Sequence, residues 1–148
     1  MEKTILVTGG MGFIGSNFIR FFRQSHPEDP LVNLDKLTYS ANPENLADLS
    51  SDPLYRFVQG DILDEKILDR LIREFSIRTV IHFAAESHVD RSILGSKEFI
   101  QTNMLGTYTL LVAFRNYWQL RNSMLWYLVS LCIILIFQKE RSGMLSRK

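Results

Sequence analysis

The chain has 148 residues, 46% of them apolar, a length that suits one compact domain rather than two. Its 17 lysines and arginines nearly balance its 16 aspartates and glutamates, which argues against a surface that binds nucleic acid through phosphates. The single cysteine, Cys132, excludes an internal disulfide and a cysteine-cluster metal site. We therefore expect small-molecule partners, no bound metal and, because no secretion signal is evident, a cytoplasmic location.

Short apolar runs alternate with helical patterns along most of the chain. Four runs predict strands that helices bury on both faces, at 4–8, 31–35, 55–59 and 79–83. Apolar residues at helical spacing predict helices from Phe13 to Phe22 and, after a potential cap at Asp64, as far as Phe75. The alternation predicts parallel crossovers and an α/β fold, a Rossmann-type doubly wound parallel sheet.

A longer helix is predicted from Ser96 to Trp118. The pattern is that of an amphipathic helix, with apolar residues on about one face. The residues of this face are Ile100, Met104, Tyr108, Leu111 and Trp118.

Three glycines, Gly9, Gly12 and Gly15, follow the first predicted strand at intervals of three residues. At such a place a strand must turn sharply into a helix and admit a pyrophosphate against bare backbone. Spaced glycines alone are also compatible with a tight turn that binds nothing. The preceding strand, the following helix and an aspartate about twenty residues on favour a dinucleotide site.

That aspartate is Asp35, at the end of the second predicted strand. A carboxylate there accepts hydrogen bonds from the adenosine ribose hydroxyls and repels a 2′-phosphate, so it predicts NAD rather than NADP. The neighbouring Lys36 weakens this preference. The alternative interpretation of Asp35 is an ordinary solvated acid at a strand end.

Two further strand ends should face the same crevice, because ligands of open α/β sheets lie beyond the carboxyl ends of the strands. Asp61 can accept a hydrogen bond from the adenine amino group, and Ile62 can pack on the adenine ring. Ala84 and Ala85 are small enough to let the cofactor lie close. Spacing alone explains Asp61 equally well as a turn residue or a helix cap.

Several stretches resemble the dTDP-glucose 4,6-dehydratases, a family of extended short-chain dehydrogenases/reductases. Besides the glycine turn they are Asn33 to Tyr39, His82 to Ser92, Phe99 to Asn103, Gly106 to Leu111 and Tyr117 to Trp118. The glycine turn belongs to the whole superfamily, whereas the first two of these stretches are much narrower and argue against a generic epimerase. The likeness covers about the first 118 residues.

This resemblance implies NAD as cofactor, a sugar nucleotide, dTDP-glucose, as substrate, and a homodimer. Beyond the glycines, it implies cofactor contacts from Phe13, Ile14, Asp35, Lys36, Leu37, Thr38, Asp61, Ile62, Ala84, Ala85 and Thr102. Ser87 would touch both the cofactor and the sugar nucleotide. His82 is interpreted as a packed core residue, and Asp90 with Arg91 as a pair or a helix cap, so no residue is assigned as catalytic.

In the family, a hydride leaves C4 of glucose for NAD, water is eliminated across C5 and C6, and the hydride returns to C6. The resemblance implies a tyrosine base activated by a lysine four residues on, and a Thr-Asp-Glu motif for the elimination. This sequence contains neither Tyr-x-x-x-Lys nor Thr-Asp-Glu. We therefore expect the chain to be a truncated form that keeps the NAD site without the catalytic groups.

After Trp118 the resemblance stops where a fifth strand should come. Uncharged residues run from Ser123 to Phe137, and a helix of this length, about 22 Å, is short of the ~30 Å hydrocarbon core. The run can be a buried strand or helix in place of the fifth strand, a foreign tail from truncation or frame change, or, least favoured, a membrane attachment.

We therefore divide the chain into an NAD-binding Rossmann domain at 1–118 and a divergent apolar tail at 119–148. The sheet should be incomplete at its C-terminal side, and the substrate-binding region of the family is absent. Two other functions stay open: a catalytically inert NAD-binding or partner-binding module, and another nucleotide-sugar enzyme such as an epimerase.

Overall fold

The structure, a computed structural model, describes residues 4–86, 96–120, 128–130 and 134–135. Its strands are β1 (Ile5–Thr8), β2 (Leu31–Asp35), β3 (Tyr55–Gln59), β4 (Thr79–His82), β5 (Leu128–Ser130) and β6 (Ile134–Leu135). Its helices are α1 (Phe13–Ser25), a 3-10 helix (Pro43–Ser51), α2 (Glu65–Glu74), α3 (Ser96–Phe99), a π-helical segment (Ile100–Gly106) and α4 (Thr107–Leu120).

These strands form one sheet in the order β3-β2-β1-β4-β5-β6. Strands β1 to β5 are parallel, and β6 pairs antiparallel with β5. The sequence pattern predicts no antiparallel strand. Ile81 of β4 is paired with Val129, so β5 occupies the place of a fifth strand. The Rossmann-type α/β fold is confirmed, while the division of the chain at residue 118 stays a prediction.

The central strands β1 and β2 are buried on both faces, as their apolar runs predict, whereas the edge strand β3 is only partly buried. On one face, Leu6 of β1 packs in a cluster with residues of α2 and α4, such as Leu68 and Leu110. On the other face, Val7 packs in a second cluster with Ile19 of α1. Successive residues of a strand point to opposite faces, so β1 contributes to both layers and no face of this strand is left to solvent.

The segment from Ser96 to Leu120 corrects the predicted amphipathic face. Ile100, Met104 and Tyr108 are 47%, 63% and 65% exposed instead of buried. The face that is turned inward carries smaller and more polar residues together with three large ones: Asn103, Gly106, Thr107, Leu110, Phe114 and Tyr117. Leu111, also on the predicted face, does pack against the core, and the side chain of Trp118 lies outside the described part of the chain. The π-helical segment adds residues per turn, so an apolar pattern counted at a uniform 3.6-residue period selects the wrong residues before Leu111.

The buried guanidinium of Arg23 ties the end of α1 to the loops beside it. It donates to both carboxylate oxygens of Asp52 and to the carbonyls of His26, Pro27 and Asp29. Arg20, on the same helix, forms a bidentate pair with Asp48, but both of these side chains are substantially exposed. Arg20 also donates to the Asn45 carbonyl, so the two arginines make the same kinds of contact and differ mainly in the burial of their ion pairs.

We expect Arg23→Met to lower the free energy of unfolding by about 3 kcal/mol, because it leaves buried acceptors without a donor. Arg20→Met should cost no more than about 1 kcal/mol, since exposed pairs contribute little. Urea denaturation of both variants measures the difference. If both variants lose the same free energy of unfolding, burial does not determine how much the Arg23 contacts stabilise the fold.

His82 is a core residue, as predicted, with 1% of its surface exposed. Its Nδ1 lies 2.6 Å from Thr8 Oγ1, and its Nε2 lies 3.0 Å from Thr107 Oγ1. Burial lowers the pKa of His82 from 6.5 to about 4 because desolvation disfavours the charged ring. The ring is therefore neutral near pH 7 and joins β1, β4 and α4 by two hydrogen bonds.

This depressed pKa predicts a pH-dependent stability. The unfolded chain binds a proton at His82 below pH 6.5, whereas the folded chain does so only near pH 4. The stabilisation is therefore complete above pH 6.5 and falls, by about 3 kcal/mol in total, as the pH drops to about 4. Urea denaturation between pH 7 and 4.5 should show this decline, His82→Gln should remove it, and the surface variant His26→Gln should retain it.

Candidate functional site

Four parallel strands deliver the candidate site residues to one edge of the sheet. Gly9 follows β1, Asp35 ends β2, Asp61 follows β3 and Ala84 follows β4. Strand β1 lies between β2 and β4, so the chain crosses from one side of β1 to the other at this point. Such a switch point opens a crevice at the carboxyl ends of the strands, which is where open α/β sheets bind ligands.

Two of the three predicted glycines allow the turn after β1 to pack tightly. Gly9 has a φ of +72°, a conformation that favours glycine, and a Cβ there would lie 2.7 Å from the Cα of Ala84. A Cβ on Gly15 would lie 2.7 Å from the Cα of Gly10, so α1 could not approach the turn. These glycines are required by the fold itself.

Gly12 differs from both, because a Cβ there would meet only the carbonyl oxygen of Gly9, at 3.4 Å. The space beside Gly12 is open, and α1 begins there with no side-chain cap and no acidic residue in its first turn. In contrast, the Asp64 carboxylate caps α2 by accepting from the N–H groups of Lys66 and Ile67, as predicted. The amides at the start of α1 are thus left to hold an anion such as a pyrophosphate.

Phe13 and Ile14 are the first two residues of α1. Their side chains are 82% and 47% exposed beside the crevice. Since the first N–H groups of a helix have no intrahelical acceptor, the backbone of these two residues supplies donors as well. Their implied role as cofactor contacts stays a prediction. The phenyl ring of Phe13 is too exposed for a residue that serves only to pack the core.

Asp35 is not a solvated strand-end acid, since only 8% of its surface is exposed. Its Oδ2 accepts the N–H of Met11 in the glycine turn at 2.8 Å, and its Oδ1 accepts the N–H of Leu37 at 2.8 Å. Asp35 therefore fixes the glycine turn and its own following loop in one geometry. Each carboxylate oxygen has a second lone pair, which leaves capacity for a ribose hydroxyl.

The loop after Asp35 is held in an uncommon backbone conformation. Leu37 has a φ of +60°, a region that non-glycine residues rarely adopt, and its side chain packs against the core cluster on the α1 face. The neighbouring Thr38 is exposed, with its hydroxyl 3.3 Å from that of Ser40. Strained residues of this kind concentrate at ligand sites, where the surrounding structure holds them in place.

Lys36 and Asp61 form an ion pair between the loops after β2 and β3, with Nζ 2.7 Å from Oδ2. Asp61 Oδ1 accepts the N–H of Leu63, so this residue also shapes its own turn. Ile62 is only 5% exposed and packs so closely on Gly106 that a Cβ there would lie 2.7 Å from Ile62 Cγ1. Little of the Ile62 side chain remains available for an adenine ring.

A hydrogen-bond network beyond the predicted residues connects the loops after β2 and β4 with the π-helical segment. The Tyr39 hydroxyl donates to Glu86 Oε2 at 3.0 Å, which joins the loops after β2 and β4. The side chain of Asn103, 6% exposed, accepts the Glu86 N–H and donates to its carbonyl. The sequence signal for this contact is a polar residue, Asn103, within an apolar helical pattern. The apolar periodicity does not reveal its partner.

The remaining predicted residues are only partly placed. Ala84 and Ala85 follow β4 and are partly exposed, and Thr102 lies partly buried in the π-helical segment. Ser87, Asp90 and Arg91 lie outside the described residues. Within the described ranges, no three His, Cys, Asp or Glu side chains cluster as metal ligands would, and no helix there is long and apolar enough to cross a membrane.

The sequence and the fold match those of known sugar-nucleotide enzymes. The model of the GDP-mannose 4,6 dehydratase family matches residues 6–130, most of the chain. The chain belongs to this family. Among the curated relatives, the dTDP-glucose 4,6-dehydratase of Neisseria gonorrhoeae is 52% identical over 118 residues, which are 80% of this chain and 34% of the relative. The resemblance found in the sequence is thereby confirmed.

Two solved structures show how far the similarity extends. The dTDP-glucose 4,6-dehydratase of Streptomyces venezuelae, solved with NAD and TYD bound, has 48% identity and a TM-score of 0.71 over 76% of this chain and 36% of its own. A UDP-glucose 4-epimerase of Thermotoga maritima has 30% identity and a TM-score of 0.68 over 77% and 34%. The chain spans about a third of the length of its curated relatives.

Proposed function

We propose that this chain binds NAD as the nucleotide-binding part of a dTDP-glucose 4,6-dehydratase. The observation that carries the proposal is the open space at Gly12, where an uncapped helix begins beside the buried carboxylate of Asp35. A tight turn with no ligand would need neither the open glycine nor the free amides. NAD binding by a solved relative supports the same cofactor.

Each part of the crevice suits one part of the dinucleotide. The amides of Phe13 and Ile14 would donate to the pyrophosphate, and Asp35 would accept from the ribose hydroxyls. Asp61 would accept from the adenine amino group, while the small Ala84 lets the cofactor lie against β4. Lys36, Leu37, Thr38, Ala85, Ser87 and Thr102 complete the set of proposed cofactor contacts, whereas the buried side chain of Ile62 leaves little surface for one.

The proposed reaction of the whole enzyme is the conversion of dTDP-glucose to dTDP-4-keto-6-deoxyglucose. Bound NAD would supply the hydride acceptor for C4 of the sugar. The residues of this chain would hold the cofactor at the sheet edge, and Ser87 would contact both cofactor and sugar nucleotide. The cytoplasm is the proposed location, which suits a chain whose one cysteine, Cys132, cannot form an internal disulfide.

Titration of the 148-residue chain with NAD and with NADP tests the cofactor proposal. We expect NAD to bind at least about tenfold more tightly, because the 2′-phosphate of NADP brings negative charge to Asp35. Isothermal calorimetry at one fixed ionic strength gives both dissociation constants. Equal affinities would contradict the role of Asp35, and the absence of binding by either dinucleotide would overturn the proposed function.

We also propose that the chain forms a homodimer through the exposed face of α3, the π-helical segment and α4. Five large apolar residues are exposed there: Phe99, Ile100, Met104, Leu105 and Tyr108. A contiguous apolar face on a helix is a common interface, and two identical faces can pack on each other about a two-fold axis. The occupant that we propose for this face is therefore a second copy of the chain.

Sedimentation velocity should show a dimer that Met104→Lys converts to monomer, because a lysine in the centre of the face would be buried without a partner. Phe21→Lys is the matched control, since Phe21 is 64% exposed on α1, away from this face. The control variant should remain dimeric. A wild-type monomer, or equal dissociation of both variants, would contradict the proposed interface.

A further inference from the structure

Lys36 lies where a positive charge normally favours NADP. It directly follows Asp35 at the end of β2, and in Rossmann folds a basic residue near this position accommodates the 2′-phosphate. The Lys36 side chain is 60% exposed, long and flexible, so its ammonium can reach several positions around the adenosine pocket. In this structure its Nζ lies 2.7 Å from Asp61 Oδ2, which places the charge on the neighbouring loop.

Asp61 is the fixed partner of this ion pair. Its Oδ1 accepts the Leu63 N–H at 3.0 Å, and its backbone carbonyl accepts the Asp64 N–H at 3.0 Å. The preceding Gly60 donates its N–H to the Asp35 carbonyl at 3.0 Å, which couples the loops after β2 and β3. Asp61 is also the less exposed of the two side chains, at 29%. The position of the Lys36 ammonium is therefore set by Asp61.

We propose that Asp61 is a specificity-determining residue, which keeps the Lys36 ammonium from a 2′-phosphate and so strengthens the preference for NAD. The inference rests on the proposed function, since it requires the adenosine ribose to lie at Asp35. Two carboxylates then act against NADP: Asp35 repels the 2′-phosphate directly, and Asp61 neutralises the one cation beside Asp35 in sequence. NAD, with a 2′-hydroxyl, is spared both effects.

The test is the ratio of the NADP and NAD dissociation constants, measured by calorimetry on the full chain. A ratio is needed because both dinucleotides carry the same adenine, so any loss of an adenine contact at Asp61 cancels. We expect Asp61→Asn to shift the ratio about fivefold toward NADP, the size expected of one exposed charge pair. Asparagine keeps an oxygen for the Leu63 N–H, and Asp61→Ser serves as a second variant should the first fail to fold.

The control is the double variant Lys36→Gln with Asp61→Asn. The shift toward NADP should disappear in it, because no ammonium remains to be released, and 1 M salt should weaken the shift in the single variant. If the ratio of the two dissociation constants is unchanged in folded Asp61→Asn, this inference is overturned, and the proposal that the chain binds NAD still stands. A shift that persists in the double variant overturns the inference as well. If the wild-type chain binds neither dinucleotide, the proposed function and this inference fail together.

Discussion

A chain that carries Gly12→Val should fold and yet lose most of its affinity for NAD. The new side chain would enter the open space beside the start of α1, where the structure shows only the Gly9 carbonyl within 3.4 Å of an added Cβ. A pyrophosphate needs that space to reach the helix amides. We expect the dissociation constant to rise on the order of 100-fold, or about 2.7 kcal/mol.

Gly15→Val is the matched variant from the same turn. There the added atoms would collide with the backbone of Gly10, at 2.7 Å from its Cα, and backbone cannot move aside as a flexible side chain can. We expect this variant to be strongly destabilised or unfolded. Circular dichroism and thermal denaturation report the fold of both variants, and calorimetry reports NAD binding by Gly12→Val.

The variants Gly12→Val and Gly15→Val distinguish a glycine that leaves space for a ligand from one that the packing of the turn requires. If Gly12→Val binds NAD as the wild type does, the pyrophosphate does not lie at the start of α1, and the proposed site is wrong. If Gly12→Val unfolds, Gly12 is required by the fold like its neighbours, and the open space is not kept for a ligand. The folded Gly12→Ala variant, with a smaller side chain, should show an intermediate loss of affinity.

The strands could be predicted closely because their limits have local causes. Strands β2 and β3 begin and end where the sequence predicts, at Leu31–Asp35 and Tyr55–Gln59. Pro30 precedes the first and Gly60 follows the second, and both residues interrupt regular structure. Helix α2 is equally local, since its cap, Asp64, is beside it in sequence. Burial of β2 on both faces made its run nearly continuous and left little ambiguity there.

The inward face of the segment after Ser96 could not be predicted from hydrophobicity. Thr107 turns inward because His82 needs a hydrogen-bond partner, and Asn103 because the Glu86 backbone does. Gly106 turns inward because Ile62 fills the space of a side chain there. These causes lie on other elements, far away in sequence. An apolar periodicity registers none of them, and so it selected residues that the structure leaves exposed.

In the candidate site, too, features that depend on neighbouring residues could be predicted, and contacts between distant parts of the chain could not. The glycine turn and Asp35 were recognisable because their spacing follows from one strand, one turn and one helix. The bond from the Met11 N–H to Asp35 and the pair between Lys36 and Asp61 join separate loops. Both depend on β2 lying between β1 and β3 in the folded sheet. The sequence therefore predicted residues that the structure brings to one edge of the sheet, and it missed how these residues constrain one another.

Incubation of the 148-residue chain with dTDP-glucose and NAD should yield no 4-keto-6-deoxy sugar, although NAD binds. Oxidation at C4 needs a base that takes the proton of the C4 hydroxyl as the hydride leaves C4, and the positions four residues after the tyrosines hold no lysine to activate one. A positioned acid or base alone contributes about 100- to 10,000-fold in rate, and the elimination needs a second set of groups that this sequence also lacks.

The measurement is mass spectrometric detection of the product over hours, with the full-length relative from Neisseria gonorrhoeae as positive control. Product formed by the purified chain would contradict the prediction and would mean that other residues act as the base. Binding of NAD without turnover would instead agree with a chain that keeps the NAD site of the family without its catalytic groups. The proposed cofactor contacts at Gly12 and Asp35 do not depend on the groups that would use the cofactor, because the glycine turn and the edge of the sheet form them.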